Sequence, residues 1–369
     1  MRGFRSSSRL RREGDDVYIV SAARTAVGKY QGAFKETSAG DLGVAAIKAA
    51  VYKSGLRDLS EVPEIYFGKA FQKTNEMLGK EVVLGAGFPS STDVTTINKQ
   101  SASGMKAVIL AARNIQSGAA NVMVAAGMES TSRSLSSLDD SSDGVWGMNF
   151  IAEETAKKHE ISQSKLSSYE TESYRRAKSA LESGLFKFEI APVAITTSSS
   201  EAKIMIERDE LIHEQAEQAK SLNSSGDGAA AVVLVAESRL DDEADDLIRP
   251  LGRIVSYAEV ATSVADALIA PSLCIPTALR KAGRSITDIT KFEISGSSAV
   301  VPLVNSKLLG LDLAMVNAKG GDLAMGHTFG ASGCRMLVTL LYSLKEGEYG
   351  VASVCDGSGG ASAIVVQRM

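Results

Sequence analysis

The sequence is poor in several features on which whole classes of function depend. Its 369 residues carry a net charge of −4, so they offer no basic surface for nucleic acid. No apolar run approaches the roughly 18–20 residues that a membrane-spanning helix needs. The chain also lacks a GxGxxG turn after a strand, a P-loop, a CxxC pair and an HExxH helix, which argues against nucleotide-binding enzymes of those types and against metal hydrolases. We therefore expect no metal site.

Cysteine is scarce as well. The three cysteines, Cys274, Cys334 and Cys355, are odd in number and far apart, which favours free thiols in a reducing compartment over a disulfide framework. Cys274 and Cys334 lie in helical segments and are interpreted as packing residues. Cys355 ends a strand in GVASVCDGSGG, where the chain leaves the sheet. It is either a core thiol or part of a functional site.

Histidine is the third scarce residue, with only three in the chain. His159 and His213 lie in charged helical segments and are interpreted as surface residues. His327 lies in KGGDLAMGHTFGASG, among glycines that let a backbone approach a ligand closely. A lone histidine is often structural, but this setting favours a functional role for His327.

The amino-terminal segment differs in composition from the rest. MRGFRSSSRLRR contains five arginines and three serines and precedes the first acid, Glu13. This composition resembles a mitochondrial presequence, which predicts a mitochondrial protein; the alternative is a disordered basic tail on a cytoplasmic one. Folded structure is expected to begin near Val17, where DVYIVSA is typical of a buried strand.

The chain contains an internal duplication. ASGMKAVILAARNIQSGAANVMVAAG, from Ala102, aligns without a gap to ASGCRMLVTLLYSLKEGEYGVASVCD, from Ala331. Both copies predict a tight turn, a helix of about fourteen residues, a glycine stop and a buried strand. We infer two α/β halves related by duplication.

A polar insert separates these halves. The stretch at 129–147 is rich in Ser and Asp and predicts an exposed loop, and charged helices follow it. The acidic run at 241–246 lacks the spacing of a calcium loop and is interpreted as solvated surface. The predicted segments are a basic tail at 1–16, a first half at 17–128 with 222–250, an insert at 129–221, and a second half at 251–369.

The turn NKQSASGMKA places Ser101 between a β-rich segment and a helix. A serine hydroxyl needs a neighbouring base to act as a nucleophile. If the two halves pack symmetrically, the turns at 101–104, 326–333 and 355–360 converge at one end of the sheets. This convergence would bring His327 and Cys355 towards Ser101.

Several motifs together resemble the thiolase family, closest to the acetyl-CoA C-acetyltransferases. They are VSAARTAVGKYQGAF, TTINKQSASGMKA, VMVAAGMES, GHTFGASG and YGVASVCDGSGGASAIVVQ, in that order from about Val17 to the carboxyl terminus. The resemblance implies an α/β thiolase fold in which two duplicated halves form α/β/α/β/α layers. It also implies an inserted loop domain that holds coenzyme A, an acyl-CoA thioester as substrate with no further cofactor, and a homo-oligomer that is a dimer or a tetramer.

The resemblance also implies site residues. In thiolases a cysteine in the NKxCASGMK turn takes the acyl group, a histidine activates it, and a second cysteine moves a proton at the substrate α-carbon. The matching positions here are Ser101, His327 and Cys355.

Further positions are carried over from the same family pattern. The backbone near Gly357 matches one oxyanion site, and Ser295 falls where the other site has an asparagine. The substrate-contacting positions are Ile269, Ala270 and Pro271, from the IAP motif. Arg175 is a candidate for the coenzyme A phosphates, and the alternative is that it is ordinary surface charge on a helix.

The sequence departs from the family pattern at several of these positions. Ser101 replaces the nucleophilic cysteine, residues 295–298 read Ser-Gly-Ser-Ser instead of Asn-Glu-Ala-Phe, and Thr328 replaces a proline. The segment at 192–221 is short for the family. Three hypotheses follow: an impaired or altered acetyltransferase, an inactive paralogue that binds acyl-CoA or an active thiolase subunit, and a slow Ser-His acyl-CoA hydrolase.

Overall fold

The computed structural model of the protein describes residues 16–71, 78–134, 142–197, 200–212, 225–240 and 247–369. The basic tail before Asp16, His213 and the acidic run at 241–246 lie outside these residues. Within the described ranges, no helix combines the length and the apolar character needed to cross a membrane.

The first half and the insert alternate strands and helices. The first half contains β1 (Val17–Thr25), β2 (Gly28–Lys29), α1 (Ala39–Ser54), β3 (Glu64–Gly68), α2 (Leu78–Gly85), β4 (Asp93–Ile97), α3 (Ser103–Gln116) and β5 (Val122–Ser130). The insert contains α4 (Thr131–Ser134), α5 (Ser142–Lys158), α6 (Gln163–Glu182), β6 (Ile190–Ala191), β7 (Val193–Thr197) and β8 (Ser200–Ile206).

The chain then completes the first half and forms the second. It continues with β9 (Gly226–Ala236), β10 (Gly252–Ala261), α7 (Ala270–Lys281), β11 (Ile289–Ser295), α8 (Val300–Leu309), α9 (Asp322–Met325), α10 (Ser332–Leu341), β12 (Tyr349–Cys355) and β13 (Gly360–Arg368).

The strand order shows the duplication directly. The long sheet runs β11-β12-β13-β10-β1-β9-β5-β3-β4, so β3, β5, β9 and β1 mirror β11, β12, β13 and β10. In each half the two outer strands of this set are parallel and the other neighbours are antiparallel. The halves join through β1 and β10, where Val17 pairs with Ile254 and Ile19 with Gly252.

Three buried apolar clusters define the layers. One lies between the first half-sheet and α1 with α2, one surrounds α3 and α10 between the half-sheets, and one lies under α7 and α8. Leu42, Met105 and Ile275 are members of the three clusters in that order, and none is exposed to solvent. The arrangement is therefore the predicted α/β/α/β/α stack.

Most local predictions are confirmed. The strand that begins at Val17 is buried throughout, and α1 ends at Gly55, whose φ of 77° suits a left-handed helix stop. Helix α3 spans fourteen residues, as predicted. Its counterpart α10 spans only ten. After it the hydrogen bonding changes to a tighter turn, in which the Ser343 N–H donates to the carbonyl three residues before it, that of Leu340, at 2.9 Å.

The predicted exposed loop at 129–147 was partly wrong. Glu129 and Ser130 end strand β5 and are buried, and Thr131 begins the short helix α4. From Ser142 the chain is already in α5. The polar composition suggested a loop, but these side chains are buried and form hydrogen bonds inside the protein. Thr131 Oγ1, for example, donates to the Gly226 carbonyl at 2.9 Å.

Two glycines let α3 and α10 pack in close contact. A Cβ on Gly333 would lie 2.7 Å from both the Cβ and the backbone N of Met105. A Cβ on Gly104 would lie 2.8 Å from the Gly330 carbonyl and 3.2 Å from the Cys334 Cβ. Met105 and Cys334 occupy equivalent positions in the two repeats, so the contact is reciprocal. It brings together the amino ends of the two helices.

Replacing Gly333 by alanine should therefore destabilise the fold. The new methyl group meets the backbone of Met105, which has no rotamer by which to move aside, so we expect a loss of about 1–3 kcal/mol in the free energy of unfolding. Urea denaturation measures it. The matched control is Gly79→Ala in α2, where only Val94 Cγ1 comes near, at 3.0 Å. Equal effects of the two substitutions would contradict the close contact.

Candidate active site

Ser101 lies in the turn between β4 and α3. The Asn98 amide donates to the Ala70 carbonyl at 2.9 Å, and the backbone N–H of Lys99 donates to Ser103 Oγ at 2.8 Å. Gln100, just before Ser101, has a φ of 49°, a left-handed conformation that non-glycine residues rarely adopt. These contacts hold Ser101 at the amino end of α3, half-buried and facing the second half of the chain.

His327 approaches Ser101 from the equivalent turn of the second half. It follows α9 and Gly326, has 5% of its surface exposed, and packs edge-on against the Phe329 ring with centroids 4.7 Å apart. Its Nε2 lies 2.9 Å from Ser101 Oγ. The predicted convergence of these two turns is therefore present in the structure.

Asp322 holds the other side of the His327 ring. Its Oδ2 lies 3.1 Å from His327 Nδ1 and also accepts a hydrogen bond from the Ser295 hydroxyl. Its Oδ1 accepts from Arg335 Nη2 at 2.7 Å. Burial alone favours the neutral acid, but the Arg335 charge and the bonds from His327 and Ser295 outweigh it and hold the pKa of Asp322 well below its usual value.

The ionised carboxylate determines the tautomer of His327. A carboxylate only accepts hydrogen bonds, so the ring nitrogen facing it, Nδ1, carries the proton. Nε2 is then the acceptor for the Ser101 hydroxyl. Ser332 Oγ lies 3.0 Å from Nδ1 and itself accepts from the Thr328 N–H at 3.0 Å, so it is a second neighbour of Nδ1.

This geometry has the parts of a serine–histidine–aspartate relay: a hydroxyl, a base and a group that orients the base. Ser101 and His327 were predicted from the sequence as site residues, whereas Asp322 and Arg335, which the structure places beside them, were not. The available signal was a single acid, five residues before His327, in the otherwise glycine-rich and apolar stretch GGDLAMGH.

Cys355 lies at the end of β12, next to the strand that carries Ser295. Its neighbour Val354 pairs with Ser295 across β11 and β12. Burial raises the pKa of the Cys355 thiol to about 12, and the carboxylates of Asp356 and Asp322 add to the rise. Cys355 is therefore a neutral thiol near neutral pH.

The turn after Cys355 is ordered by Asp356. Its Oδ1 accepts from the backbone N–H groups of Ser358, at 3.1 Å, and Gly360, at 2.7 Å. Gly357 at the tip of this turn is exposed, and a Cβ there would lie 3.6 Å from Met148 Sδ, so helix α5 of the insert reaches the turn. A cleft of about 380 Å³ separates this turn from Gln100.

The predicted oxyanion position Ser295 lies behind His327. It is 2% exposed, and its hydroxyl donates to Asp322. A hydroxyl has one proton to donate, and here it stabilises the carboxylate. The roles of Ser295 and of the Gly357 backbone in holding an oxyanion stay predictions.

The predicted substrate positions lie on two helices. Ile269 precedes α7, and Ala270 and Pro271 form its first turn, where both are buried. Arg175 lies on α6 with 66% of its side chain exposed, and its Nε donates to Glu172 at 2.6 Å. Their contacts with a substrate stay predictions.

Glu293 is a buried carboxyl beside the relay. It lies on β11, two residues before Ser295, and is 3% exposed. Its Oε2 has no hydrogen-bond partner among the described residues. Burial raises the pKa of Glu293 to about 7, although the nearby Arg335 charge limits the rise.

The duplicated five-layer architecture, with Ser101 and His327 on equivalent turns, is the thiolase fold. The thiolase C-terminal domain model matches residues 248–368, and the thiolase N-terminal domain model matches residues 17–145 and 134–238. The chain belongs to the thiolase family.

Relatives with curated names agree with this assignment. The acetyl-CoA acetyltransferase of Yarrowia lipolytica is 42% identical over 95% of this chain and 96% of its own length, and the mitochondrial acetyl-CoA acetyltransferase of Bos taurus is 37% identical over 96% and 92%. Among solved structures, the Ascaris suum Acat5 thiolase in complex with coenzyme A is 31% identical with a TM-score of 0.86, covering 96% of this chain and all 100% of its own.

The pKa of Glu293 predicts a specific pH dependence of stability. Its folded-state pKa of about 7 lies above the usual 4.5, so the folded state binds the proton more tightly than the unfolded state does. The stability that this proton contributes is therefore lost as pH rises from the usual pKa to the folded-state pKa. Relative to the unmodified chain, Glu293→Gln should gain about 1–3 kcal/mol of unfolding free energy between about pH 5 and about pH 8. Urea denaturation at both pH values measures the difference.

The control for this experiment is Glu182→Gln, which removes an exposed carboxylate at the end of α6. An equal pH-dependent gain in both variants would mean that the effect comes from net charge. No gain in Glu293→Gln would contradict a protonated, buried Glu293.

Proposed function

We propose that this protein is an acetyl-CoA acetyltransferase-like thiolase in which Ser101 accepts the acyl group from an acyl-CoA thioester. The observation that carries the proposal is the 2.9 Å contact between Ser101 Oγ and His327 Nε2, with His327 Nδ1 held by Asp322 at 3.1 Å. A serine becomes a nucleophile when a base within hydrogen-bond distance removes its proton. His327 is that base.

The substrate class is inferred from the relatives. Several are named acetyl-CoA acetyltransferases, and the Ascaris suum relative was solved with coenzyme A. We propose an acyl-CoA for this chain as well, with the acyl group at the Ser101 turn. Arg175 and the segment from Ile269 to Pro271 are the proposed contacts with the rest of the substrate.

Serine in place of the family's cysteine alters the expected chemistry. Transfer of an acyl group from a thioester to a hydroxyl is strongly downhill, and the resulting oxyester is a weaker electrophile towards a carbanion. The pKa of the Cys355 thiol, about 12, leaves this group protonated near neutral pH, so little thiolate is present to accept an α-carbon proton. We therefore propose that carbon–carbon bond formation is impaired in this protein.

An inactive paralogue that acts only as an acyl-CoA binder or as a partner of an active thiolase is the alternative. The assembled relay argues against it. Asp322 and Arg335 are both buried, and burying two charges costs more free energy than a well-packed apolar pair of similar size. A protein that only binds has no use for a carboxylate that orients His327.

The cellular location follows from the relatives and from the tail. Relatives from Gibberella zeae, Aspergillus fumigatus and Bos taurus are named as mitochondrial. We propose that this protein is mitochondrial too and that its arginine-rich first twelve residues are a targeting segment. We also propose that it forms a homo-oligomer.

The acyl-transfer proposal predicts a covalent adduct. Incubation with acetyl-CoA should acetylate the peptide that contains Ser101, detected by intact mass and peptide mapping after rapid acid quenching. Ser101→Ala should abolish the adduct. Ser117→Ala, at the exposed far end of α3, should leave it unchanged and so exclude random acetylation. No adduct at saturating acetyl-CoA, together with no release of free thiol, would refute the proposal.

A second prediction separates acylation from condensation. Ser101→Cys should raise the rate of acylation, because a thiol at a helix amino end is a better nucleophile than a hydroxyl. It should raise acetoacetyl-CoA formation much less, because the asparagine of the family motif is still absent. Rapid-quench mass spectrometry measures the first rate, and absorbance of the product measures the second. Full recovery of condensation would contradict the argument.

A further inference from the structure

We propose that the acyl group on Ser101 is discharged to water, so that this site is an acyl-CoA thioester hydrolase in which Asp322 positions His327 for both steps. This inference rests on the proposed function, since it concerns the fate of the same acyl-serine. It goes beyond it by naming a different acceptor and a different product, a free carboxylic acid.

The relay contains every group that acylation and hydrolysis need: a hydroxyl, a base and a carboxylate that orients the base. Ser101, His327 and Asp322 form an unbroken line of contacts, 2.9 Å at Nε2 and 3.1 Å at Nδ1. The carboxylate keeps the proton on Nδ1 and stabilises the imidazolium that forms when Nε2 accepts a second proton. A neutral acceptor at Nδ1 would keep the proton there but would stabilise the imidazolium much less.

Asp322 is itself held in place by two partners. Arg335 Nη2 holds its Oδ1 at 2.7 Å, and the Ser295 hydroxyl donates to its Oδ2. Arg335 has 2% of its side chain exposed and Asp322 has none, so water does not loosen the pair. The carboxylate cannot rotate away from His327 without breaking the ion pair with Arg335.

The chemistry balances with water as the only co-substrate. Ser101 Oγ attacks the thioester carbonyl carbon and its proton passes to His327 Nε2; the C–S bond breaks, and the coenzyme A sulfur leaves with that proton. Water then attacks the acyl-serine carbonyl and gives a proton to Nε2. The bond from the acyl carbon to Oγ breaks, Ser101 recovers the proton, and a carboxylic acid leaves.

The charges around the acyl-serine favour water over a carbanion as the acceptor of the acyl group. Condensation needs a base that removes a proton from the α-carbon of a second acyl-CoA. The carbanion that results carries a negative charge, which the site must stabilise before the carbanion attacks. Burial opposes the ionisation of the Cys355 thiol, and the charges of Asp356 and Asp322 add to this effect. The same burial and charges oppose a carbanion beside Cys355. Water attacks as a neutral nucleophile and passes its proton to His327 Nε2, so no anion has to form beside Cys355 before the attack, and His327 is available as the base once coenzyme A has left.

The direct test uses the unmodified chain with acetyl-CoA and no other acceptor. Free thiol is followed with a chromogenic disulfide, and the acid is measured in water enriched in oxygen-18. We expect many equivalents of thiol per chain, an equal amount of acetate, and one heavy oxygen in each acetate. Ser101→Ala should release neither product, which excludes a contaminating hydrolase.

The outcomes distinguish this inference from the proposed function. One equivalent of thiol with a stable acetyl-Ser101 would overturn the hydrolase while leaving acyl transfer intact. Turnover that yields acetoacetyl-CoA instead of acetate would also overturn the hydrolase. Neither thiol nor adduct would overturn both.

The role of Asp322 is tested by Asp322→Asn. Exchange of the aspartate in such a relay misplaces the imidazole proton, so we expect kcat to fall by about 10²- to 10⁴-fold with little change in KM. The kcat of the variant should keep rising as pH increases from about 6 to about 9, whereas the kcat of the unmodified chain levels off in this range. A change in folding alone would not alter the shape of this profile.

Ser332→Ala is the matched control, because it removes the other oxygen near Nδ1, at 3.0 Å, and leaves the contact with Asp322 in place. We expect it to lose at most about tenfold in kcat. A loss in Ser332→Ala as large as that in Asp322→Asn, or an unchanged pH profile in Asp322→Asn, would show that Asp322 does not position the base.

Discussion

The buried ion pair between Asp322 and Arg335 is the interaction on which the site depends. The two side chains are 2.7 Å apart and shielded from water, so removal of either one leaves an uncompensated charge that costs about 3–5 kcal/mol. Because the pair keeps Asp322 ionised, it sets the tautomer of His327 and thereby leaves Nε2 as the acceptor for the Ser101 hydroxyl. Arg335 lies on α10, so the position of the base is fixed by the packing of the central helices.

This pair belongs to a longer buried chain of polar contacts. Arg335 Nη1 donates to Thr339 Oγ1 at 3.4 Å, and Thr339 donates to Glu189 at 3.2 Å. Glu189, from the insert, also pairs with Arg24 of β1 at 2.8 Å. The insert, the first half and His327 are therefore linked through polar side chains that are almost completely buried.

Periodicity and internal repeats were enough to predict most of the fold. The repeat starting at Ala102 and Ala331 gave the two halves, and the convergence of their turns correctly placed Ser101 near His327. Asp322 was missed because a single acid within GGDLAMGH has no spacing signature; its partners come from β11 and α10 and meet only in the folded chain. The stretch from Glu129 was misassigned for a related reason, since buried polar side chains resemble loop residues in composition.

Asp322 places a proton on Nδ1 of His327 and leaves Nε2 free for the hydroxyl of Ser101. Neutron diffraction from a crystal soaked in heavy water locates that proton directly. We predict a deuteron on Nδ1 directed at Asp322, none on Nε2, and one on Ser101 Oγ directed at Nε2. A deuteron on Nε2 with a bare Nδ1 would contradict this prediction, because Ser101 would then have no base.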